Sequence, residues 1–388
     1  MKNLIKSVLQ MAALLVGGFL MNSCGPASPE NPIRFYVGSS DTSLVNPIFL
    51  CEYDPIKEQF SVIDSFAGAS GSSYLVLSPG RNFLYAIDKQ MAESDTGSMK
   101  VTSFTRERGS GRLSYLNSQP SMGMGPCHVN IDREGTCIFA ANYFGGDIAV
   151  FPLDDQGRIL PASSEMHGAG SGPVADRQEG SHPHFVTLDP PEKYLLSTDL
   201  GADRVMVFAF DRAQYKLEPN PGQPFFSLKP GSGPRHLVFH PEGRSLYISN
   251  ELNATVTACS YDPAHGILAE LNTVSTVRDD YTGTKFPAAV RISPDGRYVY
   301  ASTRGDISSI AVFRVEADGS VSRVQVMEGV PDWPRDFNID PSGRWLIAAG
   351  ERAHRIELYH RDSNTGKLTK SGIICDLPSP GCVLFVTE

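Results

Sequence analysis

The chain has 388 residues, of which 41% are hydrophobic and 20% are charged. This composition supplies enough apolar side chains for a large core and argues against global disorder. The formal net charge of −9 argues against nucleic acid or an anionic membrane surface as the main partner. It still leaves room for a local basic site that binds a small anion.

The first residues have the features of an export signal. Lys2 and Lys6 precede an apolar run over residues 8–20, which is short for a transmembrane span. Cys24 follows small Ser23 and resembles the lipidated cysteine of bacterial lipoproteins, although Asn22 is polar where small or apolar residues are usual.

We therefore predict a lipoprotein-type signal peptide over residues 1–24, with lipidation at Cys24, and a short tether over 25–32. The protein is then exported to the periplasm or cell surface and attached to the bacterial membrane by its lipid anchor only. A plainly cleaved signal and an uncleaved anchor are the alternatives.

A strand–turn–strand signature recurs along the rest of the chain. One copy, HLVFHPEGRSLYISN, begins at His236 and has two alternating runs around a Pro-Glu-Gly turn. A repeat of about 50 residues, made of strands and turns, is typical of a propeller with four-stranded blades. The six turns lie at Pro79, Arg133, Pro190, Pro241, Pro294 and Pro341.

The two ends of the chain complete each other. The segment PGCVLFV, residues 380–386, has the pattern of a lone inner strand, and IRFYVGSS, residues 33–40, has that of a lone second strand. We therefore predict an all-β fold, a seven-bladed β-propeller of four-stranded antiparallel blades over residues 33–388. The C-terminal strand pairs with the N-terminal blade, so the ring has no open sheet edge there.

Alignment of the copies on their turns predicts two rings of side chains at one mouth of the central channel. The start of an inner strand and the end of the second strand share a rim, because the two strands run in opposite directions. The inner-strand ring is Ser73, Cys127, His184, Arg235, Ala288, Arg335 and Gly381. The second-strand ring is Ser40, Lys89, Tyr143, Leu200, Glu251, Arg304 and Glu351, with His128 and Asn250 at neighbouring positions.

Charged residues cluster in these rings although neutral residues occupy equivalent positions in other copies. Because such clustering costs desolvation, we predict a polar pocket for an anionic or oxygen-rich ligand rather than a solvated rim of paired charges. His184 is the natural proton-transfer group. Arginines bind carboxylate or phosphate and stabilise an oxyanion, and Glu251 could orient His184 or an arginine, or could itself act as the base.

Hydrolysis of an activated ester needs these groups and no metal or organic cofactor, as does addition of a carboxylate across a double bond. The chain has neither a nucleophile elbow nor a dinucleotide fingerprint. His182 and His184 could suggest a metal pair, but a third ligand is not evident. The cysteines after Cys24 are predicted to be small buried residues, with a Cys375–Cys382 disulfide as the alternative.

Four segments carry a resemblance to a known family. They are GPRHLVFHPEGRSLYISNELNATV, GSHPHFVTLDPPEKYLLSTDLGADRVMVFAFD, FPAAVRISPDGRYVYASTRGDISSIAVF and WPRDFNIDPSGRWLIAAGERAHRIELY. They resemble the seven-bladed lactonase family, which includes bacterial propeller-type 6-phosphogluconolactonases and fungal carboxy-cis,cis-muconate cyclases. The resemblance extends from about residue 33 to the C-terminus. It implies lactone hydrolysis with His184, Arg235, Glu251 and Arg304 as catalytic residues, and Arg291 is a less favoured choice for the second arginine.

We accordingly predict a monomeric lactone hydrolase that opens a small anionic or sugar lactone by metal-independent acid–base catalysis and without a cofactor. A muconate-type lactonising cycloisomerase and a non-catalytic propeller that binds a ligand, glycan or protein are the alternatives. Five other polar residues are predicted to bind substrate: His128, Arg335, Glu351, Lys89 and Asn250.

Overall fold

The computed structural model of the protein describes residues 31–94 and 97–386, which form 29 β-strands in seven antiparallel sheets. The sheets are the blades of a closed propeller, so the predicted fold is confirmed. The predicted signal peptide over 1–24, its Cys24 and the tether up to residue 30 lie outside the described residues. Within the described ranges no helix is long and apolar enough to cross a membrane.

Blades 1 to 7 each have four positions between the channel and the outer rim. The inner strands, in blade order, are β29 (Pro380–Phe385), β4 (Leu75–Leu77), β8 (Pro126–Ile131), β12 (Pro183–Leu188), β17 (Pro234–Phe239), β21 (Lys285–Ile292) and β25 (Pro334–Ile339). The second strands are β1 (Ile33–Ser39), β5 (Phe83–Asp88), β9 (Cys137–Asn142), β13 (Tyr194–Asp199), β18 (Ser245–Asn250), β22 (Tyr298–Gly305) and β26 (Trp345–Gly350).

The third and outer positions follow in the same blade order. The third strands are β2 (Ile48–Asp54), β6 (Lys100–Arg106), β10 (Asp147–Pro152), β14 (Arg204–Asp211), β19 (Thr255–Asp262), β23 (Ser309–Val315) and β27 (Arg355–Arg361). The outer strands are β3 (Gln59–Phe66), β7 (Leu113–Pro120), β11 (Ser164–His167), β15 (Lys216–Pro219) with β16 (Phe225–Ser227), β20 (Ile267–Ser275), β24 (Val321–Glu328) and β28 (Leu368–Asp376).

Blade 1 is built from both ends of the described chain. Strand β29 pairs with β1 in an antiparallel register that sets Tyr36 opposite Leu384 and Gly38 opposite Cys382. A Cβ atom on Gly38 would lie 2.0 Å from the carbonyl oxygen of Ser72 in blade 2. The absence of a side chain on Gly38 therefore allows the chain before β4 to approach. The pairing of β29 with β1 confirms the predicted closure of the ring.

Side chains cap the turns between inner and second strands. The Oδ1 atom of Asp132 accepts hydrogen bonds of 2.7 and 2.9 Å from two backbone N–H groups at the start of the next strand. Asp189 and Asp340 make the same pair of bonds in their own blades. Gly135 closes one such turn at φ +72°, a conformation that glycine adopts readily. These local contacts set where each inner strand ends.

Seven apolar clusters fill the spaces between neighbouring blades. The cluster between blades 7 and 1 includes Phe35, Val37, Ile347 and Ile356, all of them buried. Because both faces of a blade pack against its neighbours, the strand centres are apolar. Polar side chains are left to the strand ends, where the channel opens.

Two details differ from the sequence expectations. The outer position of blade 4 is shared by β15 and β16, which both pair with β14, because a proline-rich segment over 219–224 interrupts the strand.

The six cysteines among the described residues are all unpaired. The alternative Cys375–Cys382 disulfide is wrong because Cys375 lies on the outer strand of blade 7 and Cys382 on the inner strand of blade 1.

Candidate functional site

A cavity of about 430 Å³ lies at one mouth of the channel, a size within the range of small-molecule sites. Both aligned rings contribute to its wall. The inner-strand ring provides Ser73, Cys127, His184, Arg235 and Arg335, and the second-strand ring provides Lys89, Tyr143, Glu251 and Arg304. The structure therefore brings together residues from six blades that lie far apart in the sequence.

The strand register explains how Arg235 and Glu251 meet. Pro234, at the start of β17, pairs with Asn250, at the end of β18, so the two charged residues are adjacent at the open end of the hairpin. The Nε atom of Arg235 lies 3.0 Å from Oε2 of Glu251. Both side chains are buried.

The loop that leads into β17 is shaped by a buried carboxylate. Asp203 accepts hydrogen bonds of 2.7 Å from the backbone N–H groups of Gly231 and Gly233. Gly233 has φ +60°, and a Cβ atom there would lie 2.4 Å from the side chain of Leu252. This close packing fixes the backbone two residues before Arg235.

Glu251 is held by three arginines. Its Oε2 atom lies 2.7 Å from Nη2 of Arg304 and 3.0 Å from Arg235, while Oε1 lies 2.6 Å from Nη2 of Arg177. Burial opposes ionisation of Glu251, but Arg304, Arg235 and Arg177 outweigh it and lower the pKa to about 2. With both oxygens engaged and the carboxylate ionised, Glu251 is a poor proton acceptor. We call these four residues the Glu251 cluster.

Arg177 was missed by the sequence analysis because it lies outside the repeat. It belongs to the loop over residues 168–182 that joins blades 3 and 4. The neighbouring Gln178 is fully buried and donates a 2.9 Å hydrogen bond to the carbonyl of Leu200, which anchors the loop over the cavity. The available signal was the spacing of the turns, since the 57 residues from Arg133 to Pro190 are the longest interval between copies.

His184 faces the cavity from β12 with 7% of its surface exposed. Its Nδ1 atom is buried and has no hydrogen-bond partner in the part of the chain that the structure describes. Burial, followed by the positive charge of Arg235 and other arginines, lowers the pKa of His184 well below its usual value of 6.5. The imidazole is therefore neutral near pH 7, the form that a general base must have, although its lowered pKa makes it a weaker base than a free histidine.

His182 forms part of the cavity wall. Its ring stacks on Tyr143, with centroids 4.5 Å apart and planes inclined by 10°. The Nδ1 atom lies 2.8 Å from the carbonyl oxygen of Tyr143, and Nε2 lies 3.1 Å from Glu179. Both ring nitrogens are thus engaged by the wall, which fits a positioning role better than a metal pair with His184.

One cluster among residues 31–94 and 97–386 has the spacing of a cation site, but it lies on blade 3 away from the cavity lining. Its potential ligand atoms lie within 4.8 Å of one another and belong to Asp147, Glu165 and His167.

Of the five predicted substrate-binding residues, Lys89 and Arg335 line the cavity, whereas His128, Asn250 and Glu351 do not. His128 is buried deeper in the channel, where its ring centroid lies 4.0 Å from that of Tyr74 and 3.9 Å from that of Phe185. Asn250 donates hydrogen bonds of 2.9 Å to two threonines of its own blade. The contacts of His128 and Asn250 are those of packed structural residues, and a role for these residues in binding stays a prediction.

The other two arginine–carboxylate contacts near the channel have different surroundings. Arg335 lines the cavity, and its Nη1 atom lies 3.5 Å from Oε2 of Glu351, which is outside the lining. Arg291 pairs with buried Asp336 at 2.8 Å and is not part of the lining. Arg304, the favoured choice for the second arginine, is therefore the one that reaches the cavity.

The fold and this cavity define a closed seven-bladed propeller with an arginine-rich pocket at one channel mouth. The model of the lactonase family of seven-bladed β-propellers matches residues 34–385. The chain belongs to this family, and the resemblance inferred from the sequence is confirmed.

Curated relatives and solved structures agree with the family. A 6-phosphogluconolactonase of Bacillus subtilis is 33% identical over 91% of this chain and 98% of its own length. A Bacteroides fragilis structure described as a candidate 6-phosphogluconolactonase is 30% identical, with a TM-score of 0.85 over 94% of this chain and 100% of its own. A periplasmic gluconolactonase of Pseudomonas aeruginosa is 26% identical, with a TM-score of 0.85 over 92% and 99% of the two chains.

Proposed function

We propose that the protein is a sugar-lactone hydrolase, a carboxylic ester hydrolase that opens a lactone to its hydroxy acid with one water molecule. The observation that carries the proposal is a neutral His184 that lines the same cavity as the buried Arg235 and Arg304. The names of the relatives, 6-phosphogluconolactonase and gluconolactonase, support the same reaction.

In the proposed mechanism His184 is the general base. It takes a proton from water as the water oxygen bonds to the lactone carbonyl carbon. Arg235 and Arg304 stabilise the oxyanion of the tetrahedral intermediate. Burial, together with the charge of Arg304, lowers the pKa of Arg235 to about 9, so it remains a cation at neutral pH. The ring C–O bond then breaks, and His184 returns the proton to the departing ring oxygen.

Glu251 acts in this mechanism as an organiser. Its contacts with three arginines hold the guanidinium groups in place before substrate arrives, which is the preorganisation that electrostatic catalysis requires. The same similarity to lactonases favours hydrolysis over the muconate-type cycloisomerase and over the non-catalytic binding propeller.

We propose in addition that the protein acts outside the cytoplasm, anchored by lipid at Cys24. The support is the sequence of residues 1–24 and the periplasmic designation of the Pseudomonas relative. Fractionation of cells that express the native chain should recover it with membranes, whereas Cys24→Ala should abolish metabolic labelling by palmitate. Equal labelling of the two chains would reject the anchor.

The reaction is tested with the full-length protein purified in mild detergent. Acid release from δ-gluconolactone and from 6-phosphoglucono-δ-lactone is followed in a pH-stat, with spontaneous hydrolysis subtracted. Arg235→Ala should reduce kcat by about 10²–10³, the usual effect of losing one oxyanion donor. Wild-type rates equal to the spontaneous rate on every lactone would reject the proposed function.

A further inference from the structure

The cavity has two chemically different sides. The Glu251 cluster comes from blades 5 and 6 and from the loop that precedes blade 4. Lys89 follows the second strand of blade 2, and Arg335 lies on the inner strand of blade 7. Blades 2 and 7 flank blade 1 in the ring, so we call these two residues the Lys89 side.

The Lys89 side has two cations at the cavity and one neighbouring carboxylate, Glu351, which lies outside the cavity lining. Across residues 31–94 and 97–386, Nζ of Lys89 makes neither a hydrogen bond nor a direct ion pair, although the charge of Glu351 acts on it from a greater distance. Arg335 has one long contact, the 3.5 Å approach to Glu351. By contrast, every arginine of the Glu251 cluster already touches a carboxylate oxygen. The cations left to bind an incoming anion are therefore Lys89 and Arg335.

The backbone around Lys89 is held firmly in place. The N–H of Lys89 donates a 2.8 Å hydrogen bond to the carbonyl of Ser70. Buried Asp88 accepts 3.0 Å hydrogen bonds from the N–H groups of Ser70 and Gln90. The carboxylate of Asp88 thus binds backbone N–H groups and makes no ion pair with the neighbouring Lys89.

A glycine makes room for the lysine stem. Gly71 has φ +55°, and a Cβ atom there would lie 2.8 Å from Cδ of Lys89. Burial, followed by the charge of Arg335, lowers the pKa of Lys89, and the charge of Glu351 offsets only part of this effect. The lysine is therefore placed at the cavity at a cost that an anionic ligand would offset.

We infer that Lys89 and Arg335 form an anion subsite that binds a phosphate or carboxylate group of the substrate at a distance from its lactone carbonyl. The inference rests on the proposed function, since it orients the lactone with its carbonyl toward His184 and Arg235. A cavity of about 430 Å³ is large enough to accommodate a sugar ring. Arg335 offers two donors in a fork, and Lys89 adds a point charge.

The subsite is tested by substrate selectivity. The ratio of kcat/KM for 6-phosphoglucono-δ-lactone to that for δ-gluconolactone is measured for the wild type and for Lys89→Met. A hydrogen bond to a charged group contributes enough that the ratio should fall about tenfold to hundredfold. Lys216→Met, which removes an exposed lysine from outer strand β15, is the matched control and should keep the wild-type ratio.

A second charged substrate identifies the anion. The same ratio is measured with a glucaric acid lactone, which carries a carboxylate in place of the phosphate. The charged lactone whose ratio depends on Lys89 is the one that the subsite selects. A ratio that Lys89→Met leaves unchanged for both charged lactones overturns the inference, as does an equal loss with charged and neutral lactones.

Direct binding separates the subsite from catalysis. Inorganic phosphate is titrated into the full-length protein in a calorimeter, and Lys89→Met should bind it at least about tenfold more weakly than the wild type or Lys216→Met. Phosphate binding that depends on Lys89, in a protein that hydrolyses no lactone, would support the subsite and reject the proposed function. If the protein hydrolyses lactones but its phosphate binding does not depend on Lys89, the result would support the proposed function and reject the subsite.

Discussion

Two buried groups of arginine and carboxylate join neighbouring blades of this propeller, and they differ in charge balance. Inside the channel, Arg291 of blade 6 pairs with Asp336 of blade 7 at 2.8 Å, and Asp336 also accepts the N–H of Val383. At the mouth, the single carboxylate of Glu251 is shared by three arginines, and two further cations line the cavity. The channel pair is neutral overall, whereas at the mouth five cations outnumber the three carboxylates of the cavity lining, which belong to Asp176, Glu179 and Glu251.

The comparison separates a structural contact from a ligand site. A buried ion pair is costly to break but says little about function. Excess charge of one sign in a cavity instead destabilises the folded protein, and a bound ligand of opposite charge can offset this effect. Substitutions in the two groups should therefore have opposite signatures, with activity lost at the mouth and stability lost in the channel.

The largest expected effect is on turnover at the mouth. His184→Gln keeps a similar shape but removes the base, so kcat should fall by about 10²–10⁴ while the unfolding transition changes little. The measurement is acid release in a pH-stat, with thermal unfolding on the same preparation. His265→Gln, which alters an exposed histidine paired with Asp262, should retain wild-type kcat. Retention of more than a tenth of the activity by His184→Gln would contradict the role of base.

The second effect is on stability in the channel. Arg291→Met leaves Asp336 buried without its cation, which should lower the free energy of unfolding by about 3–5 kcal/mol. Urea denaturation followed by tryptophan fluorescence measures the change. Arg278→Met serves as the control, because Arg278 is half exposed and its ion pair with Glu328 should contribute less than about 1 kcal/mol. A comparable loss of unfolding free energy in both variants would show that the channel pair contributes no more to stability than an exposed ion pair.

A third effect concerns pH. Burial lowers the pKa of His128, His184 and His236 well below 6.5. Below pH 6.5 the unfolded chain binds protons that the folded protein does not, so stability should fall as the pH drops from 6.5 toward 5. Each histidine contributes up to about 1.4 kcal/mol per pH unit.

Thermal unfolding across pH 5–8 tests this dependence. His128→Phe removes one of the three groups from a site lined by Tyr74 and Phe185, so its unfolding temperature should depend less steeply on pH. His265→Gln, with its exposed side chain, should show the wild-type slope. An unchanged slope in His128→Phe would mean that this histidine binds protons equally in the folded and unfolded states.

The smallest expected effect is an increase, rather than a decrease, in the stability of the folded protein. Lys89→Met removes a half-buried cation that has no direct ion pair or hydrogen bond among the described residues, so the free energy of unfolding should rise by about 0.5–1 kcal/mol. Differential scanning calorimetry would detect the higher unfolding temperature. A loss of stability instead, as expected for Arg291→Met, would place Lys89 with the structural pairs and remove the contrast between the two regions.

Much of the fold could be predicted from the sequence because the information is local and repeated. Strand pairs joined by short turns recur at nearly even spacing, and each turn fixes its own register through caps such as Asp132. Alignment on the turns then placed Arg235, Glu251 and Arg304 at one mouth without knowledge of their contacts. Repetition averages out errors that would mislead the interpretation of a single hairpin.

Alignment could not separate ring positions that face the cavity from those turned into the channel or the blade. His128 and Asn250 follow or precede ring residues in sequence, yet alternation along a strand points their side chains elsewhere. It also could not place Arg177, whose loop has no counterpart in the repeat and is positioned by Gln178 through a contact with Leu200.

By itself the sequence determined the number of blades, the closure of the ring and the type of chemistry at its mouth, since these follow from periodic patterns and strand direction. Only the tertiary structure decided which carboxylate is saturated and which cations are left unpaired. That balance depends on distances of a few ångströms between side chains from different blades, and no local pattern in the chain encodes such distances.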